Sequence, residues 1–211
     1  MTAPNFPQSL ALTLIYEGGW SNNPKDPGGA TMRGVTQAVY DEDRDHRGVP
    51  RRSVRLITDP ELEAIYRWRY WDLIKGDNLP PGVDYALFDF AVNSGVGRAV
   101  KTLQRILGVA CDGAMGPGTV AAANEYCANY GISALTDAIC VARADFLKSL
   151  STFGTFGKGW MARVMGSQNG REIGDTGVID RASAMASGDP IWSPSGTQST
   201  SKSYLKEAAS A

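Results

Sequence analysis

Apolar residues recur at helical spacing through most of the first 165 positions, and the pattern lapses in two places. The first lapse is a glycine-rich stretch at residues 18–35, and the second begins at about Gly166. Before the first, SLALTLIYE places Leu10, Leu14 and Glu17 at i, i+4 and i+7 on one stripe of a helix over residues 7–17. Ala11 and Ile15 widen that stripe, so the helix is apolar nearly all round and reads as buried. Thr36 can cap a short helix, QAVYDEDRD, and Thr58-Asp-Pro-Glu61 is a capping-box start for LEAIYRWRYWDLI, which runs toward Gly76. VDYALFDFAVNSGVGRAVKTLQRILG reads as two helices about a Gly95–Gly97 break, and two more follow over roughly 118–130 and 132–150. STFGTFGKGWMARV closes the periodic region. Beyond 166, Ser, Thr, Gly, Ala and Asp replace the apolar repeat, which predicts a loosely ordered tail over 166–211 with a short terminal helix at SYLKEAASA. Alternating β-branched runs are scarce, so the fold class is mainly α, with at most a small hairpin within 18–35.

The glycine stretch concentrates unusual chemistry. YEGGWSNNPKDPGGATMRGVT holds Gly18, Gly19, Gly28, Gly29 and Gly34 with Pro24 and Pro27, a composition suited to positive φ and close backbone approach. Glu17 ends the apolar helix at the lip of this loop, facing inward. Desolvation there would disfavour a charged carboxylate, which suits a proton donor; alternatively Glu17 ends the helix and bonds the amides of the following glycines. Asp26, held between two prolines, can act as a second carboxylate or simply bond the amides of Gly28 and Gly29.

Glu17, eight residues, Asp26, four residues, Thr31, with a glycine pair before the threonine, resembles the active-site segment of phage-type lysozymes. The fuller string EGGW-N-P-D-GGAT-GVT resembles glycoside hydrolase family 108, the muramidases of phage endolysins and related secretion-associated hydrolases. The likeness covers about residues 8–165. It implies a lysozyme-like fold, with a catalytic half at about 8–82 and a helical peptidoglycan-binding half at 83–165, together forming a domain over 1–165. It also implies Glu17 as general acid, Asp26 as second carboxylate and Thr31 as a polar group near the attacking water. The bond cut would be the β-1,4 link between N-acetylmuramic acid and N-acetylglucosamine, with no metal or organic cofactor and bacterial peptidoglycan as partner. A lytic transglycosylase on a related fold and a catalytically silent wall-binding or secretion-accessory protein are the rivals.

Substrate-binding candidates come from the same segments. Tyr66, Trp68, Tyr70 and Trp71 are too many aromatics for one core stripe, so some are exposed or line a groove where sugar rings could stack. Tyr70 and Trp71, in the YWD that recurs in the family, and Trp20 in the loop motif are the candidates; core packing is the alternative. Asn93 lies beside Phe90 on an apolar helix face and must satisfy its amide internally or on a ligand. This segment resembles the helix pair whose amide side lines the cleft of phage-type lysozymes. The DG-x-x-GP-x-T string at 112–119 is similar to a turn of small peptidoglycan-binding modules, and as a structural turn needs no wall contact by Asp112.

Composition narrows the classes. Across 211 residues, 21 basic side chains against 22 acidic ones leave a net charge of −1, without the basic excess of a nucleic-acid binder. No apolar run nears the roughly 20 residues of a membrane span, so no stable insertion is expected. The single histidine, His46, sits in the charged run DEDRDHRG and argues against zinc and Ser-His-Asp chemistry. Cys111, Cys127 and Cys140 read as reduced thiols. Arg47, Arg51, Arg52 and Arg55 could meet an anionic polymer or form a solvated patch. The N-terminus lacks a signal peptide's basic region, which fits a monomeric endolysin held in the host cytoplasm until a holin releases it to the wall.

Overall fold

The computed structural model describes residues 5–22, 29–167, 175–192 and 198–199. The proposed terminal helix at SYLKEAASA lies outside them. Helix α1 (Phe6–Leu14) leads into a three-stranded antiparallel sheet of β1 (Trp20–Ser21), β2 (Thr31–Met32) and β3 (Val35–Thr36). Then come α2 (Gln37–His46), α3 (Asp59–Tyr66), α4 (Val83–Ser94), α5 (Val96–Leu107), α6 (Pro117–Tyr130), α7 (Ile132–Lys148), α8 (Phe153–Met165) and α9 (Val178–Ser187). This is the mainly α, lysozyme-like arrangement expected, with the small sheet where the glycines fall.

Helix α4 is the centre of the packing. Every residue from Val83 to Ala91 is buried, and α1, α5, α7 and α9 pack around it. It is therefore enclosed on all sides and not merely on the two faces that its periodicity suggests. Gly82 precedes it at φ +92°, and a Cβ there would come within 2.2 Å of the Ala182 carbonyl oxygen on α9, so glycine permits that close approach.

Several capping predictions are met. The Thr36 hydroxyl accepts from the Val39 amide at 3.3 Å at the start of α2. At the start of α3, Glu61 Oε2 accepts from both the amide and the hydroxyl of Thr58 at 2.9 Å. Glu61 does more than cap. Arg44 and Arg52 donate to it at 2.7 and 2.8 Å, Tyr40 at 2.9 Å, and Arg47 lies 3.4 Å away. Burial pushes its carboxyl up, but these hydrogen bonds outweigh burial and hold it at about 2. Much of the arginine cluster is thus engaged within the chain: Arg47 and Arg52 on Glu61, Arg51 on Asp45, and Arg55 stacked over Trp20.

Three expectations change. Helix α1 ends at Leu14, and Tyr16 and Glu17 follow in a tight turn bonded to the Thr13 and Leu14 carbonyls, leaving Ile15 40% exposed. After α3 the chain winds as a π-helix over Arg67–Trp71, closed by the Asp72 amide on the Arg67 carbonyl. That winding brings Tyr66 and Trp71, five residues apart, inward together. Trp71 is fully buried against Phe6 and Phe88, and its indole N–H donates to Asp77 at 2.8 Å. Trp71 is consequently a core residue and not a substrate contact.

The third change concerns the tail. Residues 178–187 form α9, which packs on α4, α7 and α8 and buries Val178, Ile179, Arg181 and Ala182. The apolar repeat there is too short to stand out in a Ser/Ala-rich stretch, yet it completes the core. Burial of Val178 and Ile179 alone contributes on the order of 3–6 kcal/mol, a large part of a domain's net stability. A chain ending at Ser167 should therefore melt roughly 10 °C or more below the full chain, or fail to stay soluble, in a thermal scan by circular dichroism; equal melting would show α9 to be dispensable.

Candidate active site

Glu17 lies where the turn after α1 meets the β2–β3 hairpin. That hairpin closes through Arg33 and Gly34, both at positive φ (50° and 77°), as two-residue turns between twisted strands require. Gly34 sits directly against the carboxylate. A Cβ there would lie 3.0 Å from Glu17 Oε2 and 2.3 Å from the hydroxyl of Tyr66, which donates to the Arg33 carbonyl at 2.9 Å. Burial, reinforced by the neighbouring Glu17 charge, raises the Tyr66 phenol, so it stays a neutral donor that fixes the turn.

The side chain of Glu17 is 21% exposed and does not face an apolar interior as its helix pattern suggested. Arg163 of α8, 146 positions away, donates from Nη1 to Glu17 Oε1 at 3.1 Å. The same guanidinium grips Asp89 of α4 through Nε at 3.0 Å and Nη2 at 2.8 Å. Arg143 of α7 donates to Asp89 Oδ1 at 2.6 Å. Burial pushes Asp89 up, yet the two guanidiniums outweigh it and hold the carboxyl below its ordinary range. Arg163, in turn, is disfavoured by burial but kept firmly cationic by Asp89 and Glu17. Four alternating charges thus run from Arg143 through Asp89 and Arg163 to Glu17.

Tyr16, the neighbour of Glu17, is fixed from the other side. Its hydroxyl donates to the Thr176 carbonyl at 2.8 Å and accepts from Arg181 at 3.1 Å, and the Arg163 guanidinium lies 4.9 Å from its ring centre. A cleft of about 390 Å³ opens on Glu17 and is lined by Tyr16, Val92, Asn93, Gly159, Trp160 and Arg163. Glu17 is the one carboxylate among these lining residues.

The structure brings Glu17 and Asn93 into one cleft, and Thr31, Trp20, Tyr70 and Trp71 are not among its lining residues. Asn93 is exposed at the end of α4, and its Oδ1 accepts from the Ser94 hydroxyl at 2.9 Å. Thr31 is in β2 and its hydroxyl donates to the Gly29 carbonyl at 3.1 Å. Trp20 is 39% exposed on β1 beneath the Arg55 guanidinium, and Tyr70 is half-buried with its ring 5.7 Å from that of Tyr66. Neither aromatic lines the cleft about Glu17. Asp26 lies outside the described residues. Sequence reading did not single out Arg163, Trp160 or Gly159. Their only signal was a lone arginine and a tryptophan in a glycine-rich closing helix, with nothing to connect α8 to residue 17. Among the described residues no group of His, Cys, Asp and Glu could hold a metal ion. Cys127 and Cys140 are buried and Cys111 is exposed, all as free thiols. Asp112 Oδ1 is bonded by Gln104 at 2.7 Å and by the Ala114 amide at 2.8 Å, which makes the DG-x-x-GP segment a braced turn.

Removing the charge of Asp89 would leave two buried guanidiniums facing a neutral amide. Asp89→Asn should therefore lower unfolding stability by about 3–5 kcal/mol, measured by denaturant titration. A loss below about 1 kcal/mol would mean that the pairing with Asp89 contributes little.

The profile described as Glycosyl hydrolase 108 matches residues 10–95, and one described as Predicted Peptidoglycan domain matches residues 98–165. The two meet beside the Gly95 break between α4 and α5. No curated protein matches. Among solved structures, SagA of Brucella abortus is 39% identical, with a TM-score of 0.67, over 86% of this chain and 95% of that one. With Glu17 and Asp89 in the first matched segment and Arg143 and Arg163 in the second, the chain belongs to glycosyl hydrolase family 108 and carries that family's hydrolase segment and a predicted peptidoglycan domain in one fold.

Proposed function

We propose that the chain is an N-acetylmuramidase that cleaves the β-1,4 bond between N-acetylmuramic acid and N-acetylglucosamine in peptidoglycan, with Glu17 as the general acid. The observation that supports this most is a carboxylate, held by Arg163, in a cleft whose lining is shared with the predicted peptidoglycan domain. Arg163 binds Oε1 and so sets the plane of the carboxyl group. Oε2, over Gly34, is then the atom left to carry the proton to the leaving glycosidic oxygen. Asp26, with Thr31 of β2, is proposed to hold the attacking water on the other face of the sugar. Action as an endolysin, reaching the wall after release from the cytoplasm, is part of the same proposal.

One observation favours a second chemistry. Glu17 is the sole carboxylate lining the cleft among the described residues, and a lytic transglycosylase needs only one acid, because the muramic acid's own hydroxyl attacks. Products separate the two. Mass spectrometry of muropeptides released from purified sacculi should show reducing muramic acid ends, and Glu17→Gln should lower release by at least roughly 10²-fold. Anhydro-muramic ends would replace hydrolysis with transglycosylation, and full activity in Glu17→Gln would remove the acid from its role.

A further inference from the structure

Helix α8 reads FGTFGKGWMARVM, with glycines at 154, 157 and 159. Glycine is the poorest helix former after proline, so three in thirteen residues call for reasons. Gly157 has one inside the protein: a Cβ there would come within 2.7 Å of the Phe153 ring, which lies across it. Gly154 is in the first turn, where nothing approaches. Gly159 is mid-helix, with no atom beyond its chain neighbours and its own helix backbone within 4 Å of where its Cβ would stand, and it lines the cleft that Glu17 also lines. No packing inside the protein accounts for it; what its absent side chain leaves is open space in the cleft that Glu17 lines.

The next residue is Trp160, half-buried and also lining the cleft. Its ring centre is 5.7 Å from that of Phe156, one turn earlier and 54% exposed, with the rings tilted at 33°. The same cleft is lined by Asn93, an exposed amide whose Oδ1 accepts from the Ser94 hydroxyl and for whose nitrogen no hydrogen-bond partner is found among the described residues. An aromatic ring, a gap beside it and an amide in the same cleft match a pyranose ring bearing an N-acetyl group. The apolar C–H face stacks on the indole, and the polar rim meets the amide.

We propose that Gly159, Trp160 and Asn93 form a saccharide subsite, with Phe156 extending its aromatic wall, that seats an N-acetylhexosamine unit of the glycan strand next to Glu17. The predicted peptidoglycan domain thereby contributes a wall of the catalytic cleft and not a separate anchor. This rests on the glycan-hydrolase function above and adds to it which face of α8 meets the sugar.

The test uses initial rates of purified full-length protein against a concentration series of purified sacculi. Gly159→Leu fills the gap with a better helix former, so its melting temperature should stay level or rise while its rate at low sacculus concentration falls about tenfold or more. Gly154→Ala, on the same helix but outside the cleft, should match wild type in rate. Trp160→Leu should lose a similar factor, and Trp160→Phe, which keeps a stacking face, should recover part of it. Wild-type rates in folded Gly159→Leu would overturn the subsite by themselves. Reducing ends released by wild type in the same assay would leave the hydrolase function standing in that case, whereas no such release would remove both.

Discussion

A single guanidinium holds this candidate active site together. Arg163 is gripped by Asp89 on one side and reaches Glu17 on the other, and Asp89 is itself held by Arg143. Burying such charges is costly, and most of that cost is met only when each has a partner of opposite sign. The chain is not fully satisfied even so: Arg143 keeps two buried nitrogens without a hydrogen-bond partner, although its guanidinium lies 5.4 Å from the Phe90 ring centre. A core built for stability alone would fill this space with apolar side chains. At its open end stands Glu17, the proposed general acid, whose carboxyl group Arg163 orients.

The same contacts explain why the chain cannot be divided at the boundary between its two matched segments. Glu17 and Asp89 precede Gly95, while Arg143 and Arg163 follow it. The cleft is shared likewise, with Tyr16, Glu17, Val92 and Asn93 from the first segment and Gly159, Trp160 and Arg163 from the second. Helix α9, beyond both, braces the back: Arg181 and the Thr176 carbonyl hold Tyr16, and Ala182 meets Gly82 at the head of α4. Hydrolase segment, peptidoglycan segment and C-terminal helix therefore make one site.

Much of this was legible in the residues where the signal is local. Thr36 and Thr58-Asp-Pro-Glu61 marked two helix starts because capping depends on neighbours three positions apart. Glu17 stood out because an acid closing an apolar run before a glycine loop is chemically odd; Asn93 was singled out as an amide on an apolar face, whereas it is exposed at the end of α4, beyond the buried stretch, and lines the cleft. What stayed hidden depends on distance along the chain or on a change of helical winding. Arg163 is 146 positions from Glu17, and nothing in the spacing of α8 points to residue 17. Trp71 looked available for sugar because the α-helical period puts it off the face of Tyr66; the π turn brings both inside. Residues 178–187 looked like tail because their few apolar side chains are flanked by small ones, and only the groove between α4, α7 and α8 gives them a role.

The central claim is that Arg163 acts on the reaction through Glu17, and a double-mutant cycle on sacculus hydrolysis tests it most directly. Arg163→Lys keeps a cation for Asp89 but not the planar fork that also reaches Glu17, so alone it should lower the rate. Combined with Glu17→Gln, it should add almost nothing to the loss caused by Glu17→Gln, because the two side chains work as a unit. Fully additive losses would contradict the account, since they would mean that Arg163 contributes independently of the carboxylate it binds.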